Sequence, residues 1–226
     1  KYIDGRLTYR TQWVGIEDAP QTQIGTIHSA LNNGPIGVGG TVYNDVAAKL
    51  QRVGFSVGGS YGVKIGGDSV RYSMLRVGFS AGAYGFQLQD GYLAQEADDP
   101  TLMAAMDRTW NPDLNVGVHL DLRNGIFAGI SLPQLARREV DFVNDQNEAI
   151  SRLTPHMYGI LGYNYKLNDK ITLQPSVLLK YFETAPMQTD FNLRGVFEEK
   201  YWAGLAYRSG DAIAVMAGLD ISNSLS

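Results

Sequence analysis

Residues 55–67, FSVGGSYGVKIGG, alternate with a period of two. Phe55, Val57, Tyr61, Val63 and Ile65 fall on one side; Ser56, Gly58, Ser60, Gly62 and Lys64 fall on the other. That period predicts a β-strand with one apolar face. The opposite face is mostly glycine and serine, poor material for the solvated side of a soluble sandwich. The pattern recurs. Met157, Leu161, Tyr163, Tyr165 and Leu167 oppose Gly162, Asn164 and Lys166, and Ile171, Leu173, Val177, Leu179 and Tyr181 oppose Thr172, Gln174, Ser176 and Lys180. Ile213, Val215, Ala217, Leu219 and Ile221 oppose Ala212, Ala214, Gly218 and Asp220.

Alternation or β-rich composition predicts twelve strands, at 7–14, 23–31, 36–43, 54–65, 72–89, 114–122, 126–132, 156–167, 171–182, 190–198, 200–208 and 212–221. Helical periodicity is confined to PTLMAAMDR (100–108) and LPQLARREV (132–140), each read as a short helix in a loop. Long connections, at 15–22, 44–53, 90–113, 133–155 and 183–189, alternate with tight turns at 32–35, 66–68, 123–125, 167–169 and 198–200. A further tight turn, SGD (209–211), falls on the long side. Short turns at one end and long loops at the other describe an antiparallel up-and-down meander, the habit of an outer-membrane β-barrel. Alternation alone also fits a soluble β-sandwich, and the loop asymmetry is what favours the barrel. Its apolar face would meet lipid and its small-residue face a lumen, with Trp13, Tyr72, Tyr181 and Tyr201 suited to interfacial girdles.

Composition sharpens this picture in a few places. The 226 residues include 26 glycines and 13 tyrosines, and only 19% are charged; glycine is near ~12%, against a usual ~7%. Mean hydropathy is −0.16, and no run approaches the ~18 apolar residues of a membrane-crossing helix. A net charge of −4 and a pI near 5.3 give no basic footprint for nucleic acid. With no cysteine, disulfides and thiolate metal sites are excluded. The opening KYIDGR has no initiator Met, so the chain is read as processed or incompletely covered.

Candidate chemistry is sparse. His28, His119 and His156 are the only histidines, too few and too far apart for a closed metal site. His28 and Ser29, as neighbours on a strand, face opposite sides and cannot form a nucleophile–base pair by themselves. No G-x-S-x-G elbow is present. The glycine runs at 37–40 and 58–67 have no helix after them, so they are not phosphate cradles. Pro175 lacks a ladder donor and predicts a bulge or a local pairing defect. The small-residue face carries Arg10, Gln12, Arg76, Asp121, Lys180, Arg194 and Glu198. These are read as a salt-bridged lumenal plug in preference to an ion-selective pore. Neither a catalytic constellation nor a cofactor site emerges, and a non-enzyme is expected. The loops at 90–113 and 133–155 hold isolated apolar residues, Leu102, Met103, Met106, Phe142 and Val143, which make them candidate partner surfaces.

Several stretches resemble the PorP/SprF family, outer-membrane proteins of the Bacteroidota tied to type IX secretion and gliding motility. They are YRTQWVGIEDAPQTQ (9–23), VYND (42–45), NPDLNVGVHL (111–120) with GISLPQL (129–135), HMYGILGYNYKLNDKITLQPSVLLKY (156–181) and TDFNLRGVFEEKYWAGLAYRSGDAIAVMAGLDI (189–221). They occur in the family's order and cover most of the chain. The resemblance implies a single outer-membrane barrel domain over residues 1–226, of about fourteen strands in the intact protein with about twelve visible here. It further implies a signal peptide and an entry segment before Lys1, and a terminal strand pair after Ser226. By the same resemblance, the protein binds or anchors a secreted adhesin, its C-terminal signal domain or periplasmic machinery. The alternative is a channel for small polar or hydrophobic solutes.

Overall fold

The computed structural model describes residues 3–31, 34–48, 50–67, 72–88, 109–135, 139–141, 150–152, 156–183 and 185–219. All regular structure in them is β, and no helix long and apolar enough to cross a membrane occurs among the residues described. The first five strands are β1 (Ile3–Thr11), β2 (Gln21–Ala30), β3 (Ile36–Ala47), β4 (Leu50–Gly67) and β5 (Tyr72–Leu88). β6 (Thr109–Asp121) and β7 (Ile126–Leu132) follow, then a small separate hairpin of β8 (Glu139–Asp141) and β9 (Ile150–Arg152). The rest are β10 (His156–Tyr163), β11 (Tyr165–Lys166), β12 (Ile171–Phe182), β13 (Ala185–Phe197), β14 (Tyr201–Arg208) and β15 (Ala212–Leu219).

The main sheet has 13 strands and runs in chain order from β1 to β15, with β11 paired to β12 alongside that path. The described registers are all antiparallel, from Thr11↔Gln21 at the first hairpin to Arg208↔Ala212 at the last. The expected all-β, antiparallel, up-and-down fold is therefore what the chain adopts. All twelve expected strands are present.

Three local expectations change. Residues 44–53 are not a long loop, because β3 runs to Ala47 and β4 starts at Leu50. Residues 183–189 shrink in the same way, since β13 begins at Ala185. Both segments hold polar residues that read as loop but take part in the ladder as extensions of long strands: β3 has 12 residues, β4 has 18 and β13 has 13, above the ~9–11 that crossing a membrane requires. The helix expected at 132–140 does not form among the described residues of that span, as Leu132 closes β7 and Glu139–Asp141 is strand; there, helical periodicity gave way to pairing with β9. The helix expected at 100–108 lies outside the described residues. At Pro175 the ladder with β13 is unbroken, Pro175↔Leu193 sitting between Gln174↔Arg194 and Ser176↔Asn192. The lost donor tells on the other side, where pairing lapses between Gly162↔Ser176 and Tyr165↔Leu173. The side chain of Gln174 spans that lapse, its Nε2 donating to Asn164 Oδ1 at 2.9 Å. The irregularity in β12 itself falls later, between Lys180 and Phe182.

The two faces are reversed relative to a water-soluble domain. On β4, Phe55, Val57, Tyr61, Val63 and Ile65 are exposed, whereas Gly54, Ser56, Gly58, Ser60 and Gly62 are covered. Tyr84 is the one large apolar side chain fully buried among the described residues, and Ser73, Asn111, Asp113 and Asp190 are buried polar groups. Leu7, at 91% exposure, shows how far this goes. Glycine lets aromatic rings lie flat on the covered face. A Cβ on Gly54 would collide with the Tyr43 ring, one on Gly162 with Phe127, and one on Gly218 with Trp202.

The chain forms two compact units. One comprises Lys1–Ser60, Phe79–Asn115 and Gln134–Leu153; the other comprises Tyr61–Gly78, Val116–Pro133 and Thr154–Ser226.

Candidate functional site

Since strand side chains alternate, the charged residues of even number along most strands meet on the covered face. In the first unit they centre on Arg52. Its guanidinium carbon lies 4.7 Å from the centroid of Tyr84, 5.4 Å from Tyr43 and 5.5 Å from Phe86. Tyr84 and Phe86 meet edge-on at 5.6 Å. Arg52 Nε is buried with no hydrogen-bond partner among the described residues, so the ring faces provide much of what water would otherwise give the cation. Asp113 stands in the same cluster, with Oδ1 buried and also without such a partner. Its Oδ2 accepts from Asn115 Nδ2 at 3.2 Å; that amide nitrogen also donates to Ser80 Oγ at 3.1 Å. Asn115 Oδ1 accepts the backbone N–H of Gln134 at 2.9 Å. At the rim of this unit, Thr22 Oγ1 donates to Asp45 Oδ1 at 2.6 Å and Gln51 Nε2 to Asn44 Oδ1 at 2.7 Å.

The second unit uses paired charge. Asp190, buried, accepts from Lys180 Nζ at 2.8 Å and from Arg208 Nε at 3.1 Å. Arg208 Nη1 also reaches Asp211 Oδ2 at 3.1 Å. Two cations and two carboxylates thus balance across β12, β13, β14 and the turn after it. Nearby on β13, Arg194 lies 4.5 Å over the Trp202 ring, its Nε buried and without a hydrogen-bond partner among the described residues. On β5 and β6, Arg76 pairs with Asp121, whose other oxygen lies 3.1 Å from His119 Nε2. The His119 ring stacks on Phe127 at 6.3 Å.

Of the charges expected to form one network, Arg76 and Asp121 come together, while Lys180 joins Asp190 and Arg208 instead. Arg194 takes an aromatic partner. Glu198 sits in the turn after β13, 2.9 Å from Lys170 Nζ, with a left-handed backbone (φ 51). Arg10 is exposed on β1 opposite Thr22, and no ion pair among the described residues reaches it. Gln12 lies beyond β1, its N–H donating to Pro20 O at 3.0 Å. Leu102, Met103, Met106, Phe142 and Val143 lie outside the described residues. Sequence reasoning missed Tyr43, Arg52, Tyr84, Asp113, Asp190 and Arg208. The even-number parity that singled out Lys180 and Arg194 also reaches Asp190 and Arg208. Arg52 was hidden because 44–53 reads as loop.

The other histidines are in simple settings. His28 Nε2 is 3.7 Å from Asp4 Oδ1, while Ser29 is on the opposite face and donates to Ala30 O at 3.4 Å. His156 meets Phe182 edge-on at 4.6 Å. Among the described residues, no group of three or more His, Asp or Glu side chains could hold a metal ion. Chemically these clusters can tie strands together and fill the covered face; none sets a nucleophile against a base.

Residues 1–226, the whole chain, match the family described as type IX secretion system membrane protein PorP/SprF. Among solved structures, the chain is similar to the crystal structure of the β domain of the Bordetella autotransporter BrkA. The identity is 16%, with 95% of this chain and 94% of that one covered, and a TM-score of 0.33. No curated protein matches.

Proposed function

We propose, for a chain that belongs to the PorP/SprF family of type IX secretion system membrane proteins, a non-enzymatic outer-membrane component that binds or anchors an exported protein. The cargo would be a surface adhesin or its C-terminal signal domain, or the barrel would hold periplasmic machinery to the membrane. The observation that carries this reading is the reversed distribution of polarity, an exposed face of aromatics and aliphatics around covered charges and glycines. With no solvent-like lipid partner for backbone polar groups, strands can cross a bilayer only when closed into a barrel, here as one domain over residues 1–226. Lipid covers the exposed face, and recognition falls to the loops at the long-connection end, around Leu102, Met103, Met106, Phe142 and Val143.

Two experiments test this. Val57→Arg places a cation on the exposed face and is expected to cost ~2–4 kcal/mol if the residue lies near the bilayer midplane, read from folding into lipid vesicles by heat-modifiable gel mobility. Ser60→Arg, on the covered face, provides the contrast; equal damage from both refutes the lipid-facing assignment. Shortening 90–108 and 133–155 separately to Asn-Gly hairpins should leave insertion intact and reduce adhesin display or export. Full export by both inserted variants moves recognition to the short turns. Steady single-channel conductance of the purified wild-type barrel would favour a solute channel instead.

A further inference from the structure

The connection between β1 and β2 breaks the polarity rule of the sheet. Trp13, Val14 and Ile16 are 68%, 85% and 62% exposed, yet they stand on a turn beyond the last ladder pair, Thr11↔Gln21. The turn is built. Ile16 N–H donates to Trp13 O at 3.0 Å, and Gly15 between them has φ 97, a positive φ at the third turn position that suits glycine. Gln12 N–H to Pro20 O at 3.0 Å and Ala48 N–H to Asp18 O at 3.2 Å fasten both ends. Trp13 itself is left-handed at φ 49, a conformation that costs a bulky residue energy and persists where the surroundings hold it. Three apolar side chains are thus displayed together on a fixed scaffold, an arrangement typical of a contact anchored by an aromatic residue.

We infer that this turn is a docking knob for a protein partner that offers an apolar pocket rimmed by lysine or arginine. The inference rests on the membrane reading above and names a surface that reading left open. Charge selects the partner. Glu17 is exposed directly after the knob, and no Lys or Arg occurs between Arg10 and Lys49.

The test uses the full-length protein in outer membranes that contain the other secretion components. A photo-crosslinking amino acid replaces Val14, and separately Val14→Cys carries an environment-sensitive dye, the sequence having no other cysteine. A discrete protein adduct is expected, mapped to a partner peptide in which apolar residues are flanked by Lys or Arg. Its yield should fall at least fivefold with Trp13→Ser plus Ile16→Ser, and at least fivefold with Glu17→Lys, with insertion unchanged by gel mobility. The dye should not be quenched by brominated lipid in vesicles. No adduct, an adduct indifferent to Glu17→Lys, or strong quenching by brominated lipid each overturns the knob. Loss of export on loop shortening without an adduct at Val14 overturns the knob alone. Failure of the wild-type chain to insert in any bilayer brings down the membrane reading beneath it.

Discussion

Two clusters, one in each unit, hold their covered charges by different chemistry. Around Arg52 a single cation is held among three rings, with Asp113 nearby and its Oδ1 unpartnered among the described residues. Around Asp190 the charges cancel through hydrogen bonds of 2.8–3.1 Å to Lys180 and Arg208, with Asp211 completing the count. The first arrangement depends on aromatic area and shape, and the second on charge balance. A shape-based cluster should suffer most from lost volume. A charge-based one should suffer most when one partner goes and least when all go together.

That contrast sets the expected ranking of substitutions, each read by urea unfolding of protein folded into vesicles. Tyr84→Ala removes the one fully buried ring and should cost about 4 kcal/mol through the cavity it leaves, whereas Tyr84→Phe keeps the volume and should be far milder. Asp190→Ala strands two cations and should cost about 3 kcal/mol. The triple change Lys180→Met, Asp190→Leu, Arg208→Met should recover most of that loss; if the triple is as damaging as the single, charge balance is not what holds this region. Gly54→Ala and Gly162→Ala force Tyr43 and Phe127 off their seats and should cost about 2 kcal/mol each by overpacking. Gly54→Ala should do the greater damage, because Arg52 lies over the Tyr43 ring. Arg52→Lys should cost about 1 kcal/mol, since a compact ammonium cannot stack as a planar guanidinium does. A loss from Arg52→Lys equal to that from Asp190→Ala would erase the distinction between the two clusters.

Much of the sheet was legible because a period of two is hard to mistake when it runs for eleven residues, as it does through Phe55–Ile65. The ends were less so. Asn44, Asp45, Gln51 and Arg52 are polar, and polarity reads as loop unless a neighbouring strand pairs with it. The covered charges were legible as a face but not as partners. Parity puts Lys180, Asp190, Arg194 and Arg208 on one side, while which of them touch depends on register, and register is set by the connections that follow Phe182 and Phe197. Arg194 turned to Trp202 because the β13–β14 register sets Arg194 opposite Gly204, two residues from Trp202, leaving the ring room to lie beneath the guanidinium. Trp13 read as the end of a strand because an aromatic after TYRTQ continues the alternation; Gly15 two positions on is the signal that the strand has already stopped.

The rings seated on glycine have a consequence for how the sheet finds its alignment. In an alternating sequence, sliding one strand by two residues keeps every side chain on its proper face, so polarity alone cannot forbid the error. Phe127 sits directly opposite Gly162 and Trp202 directly opposite Gly218. After a two-residue slip, Phe127 would face Ile160 or Asn164, and Trp202 would face Met216 or Asp220; none of these leaves the space that glycine does. The glycines then act as a key cut for one position of the lock, and the abundance of the residue in this chain is in part an addressing code for strands whose hydrophobic pattern would accept several neighbours.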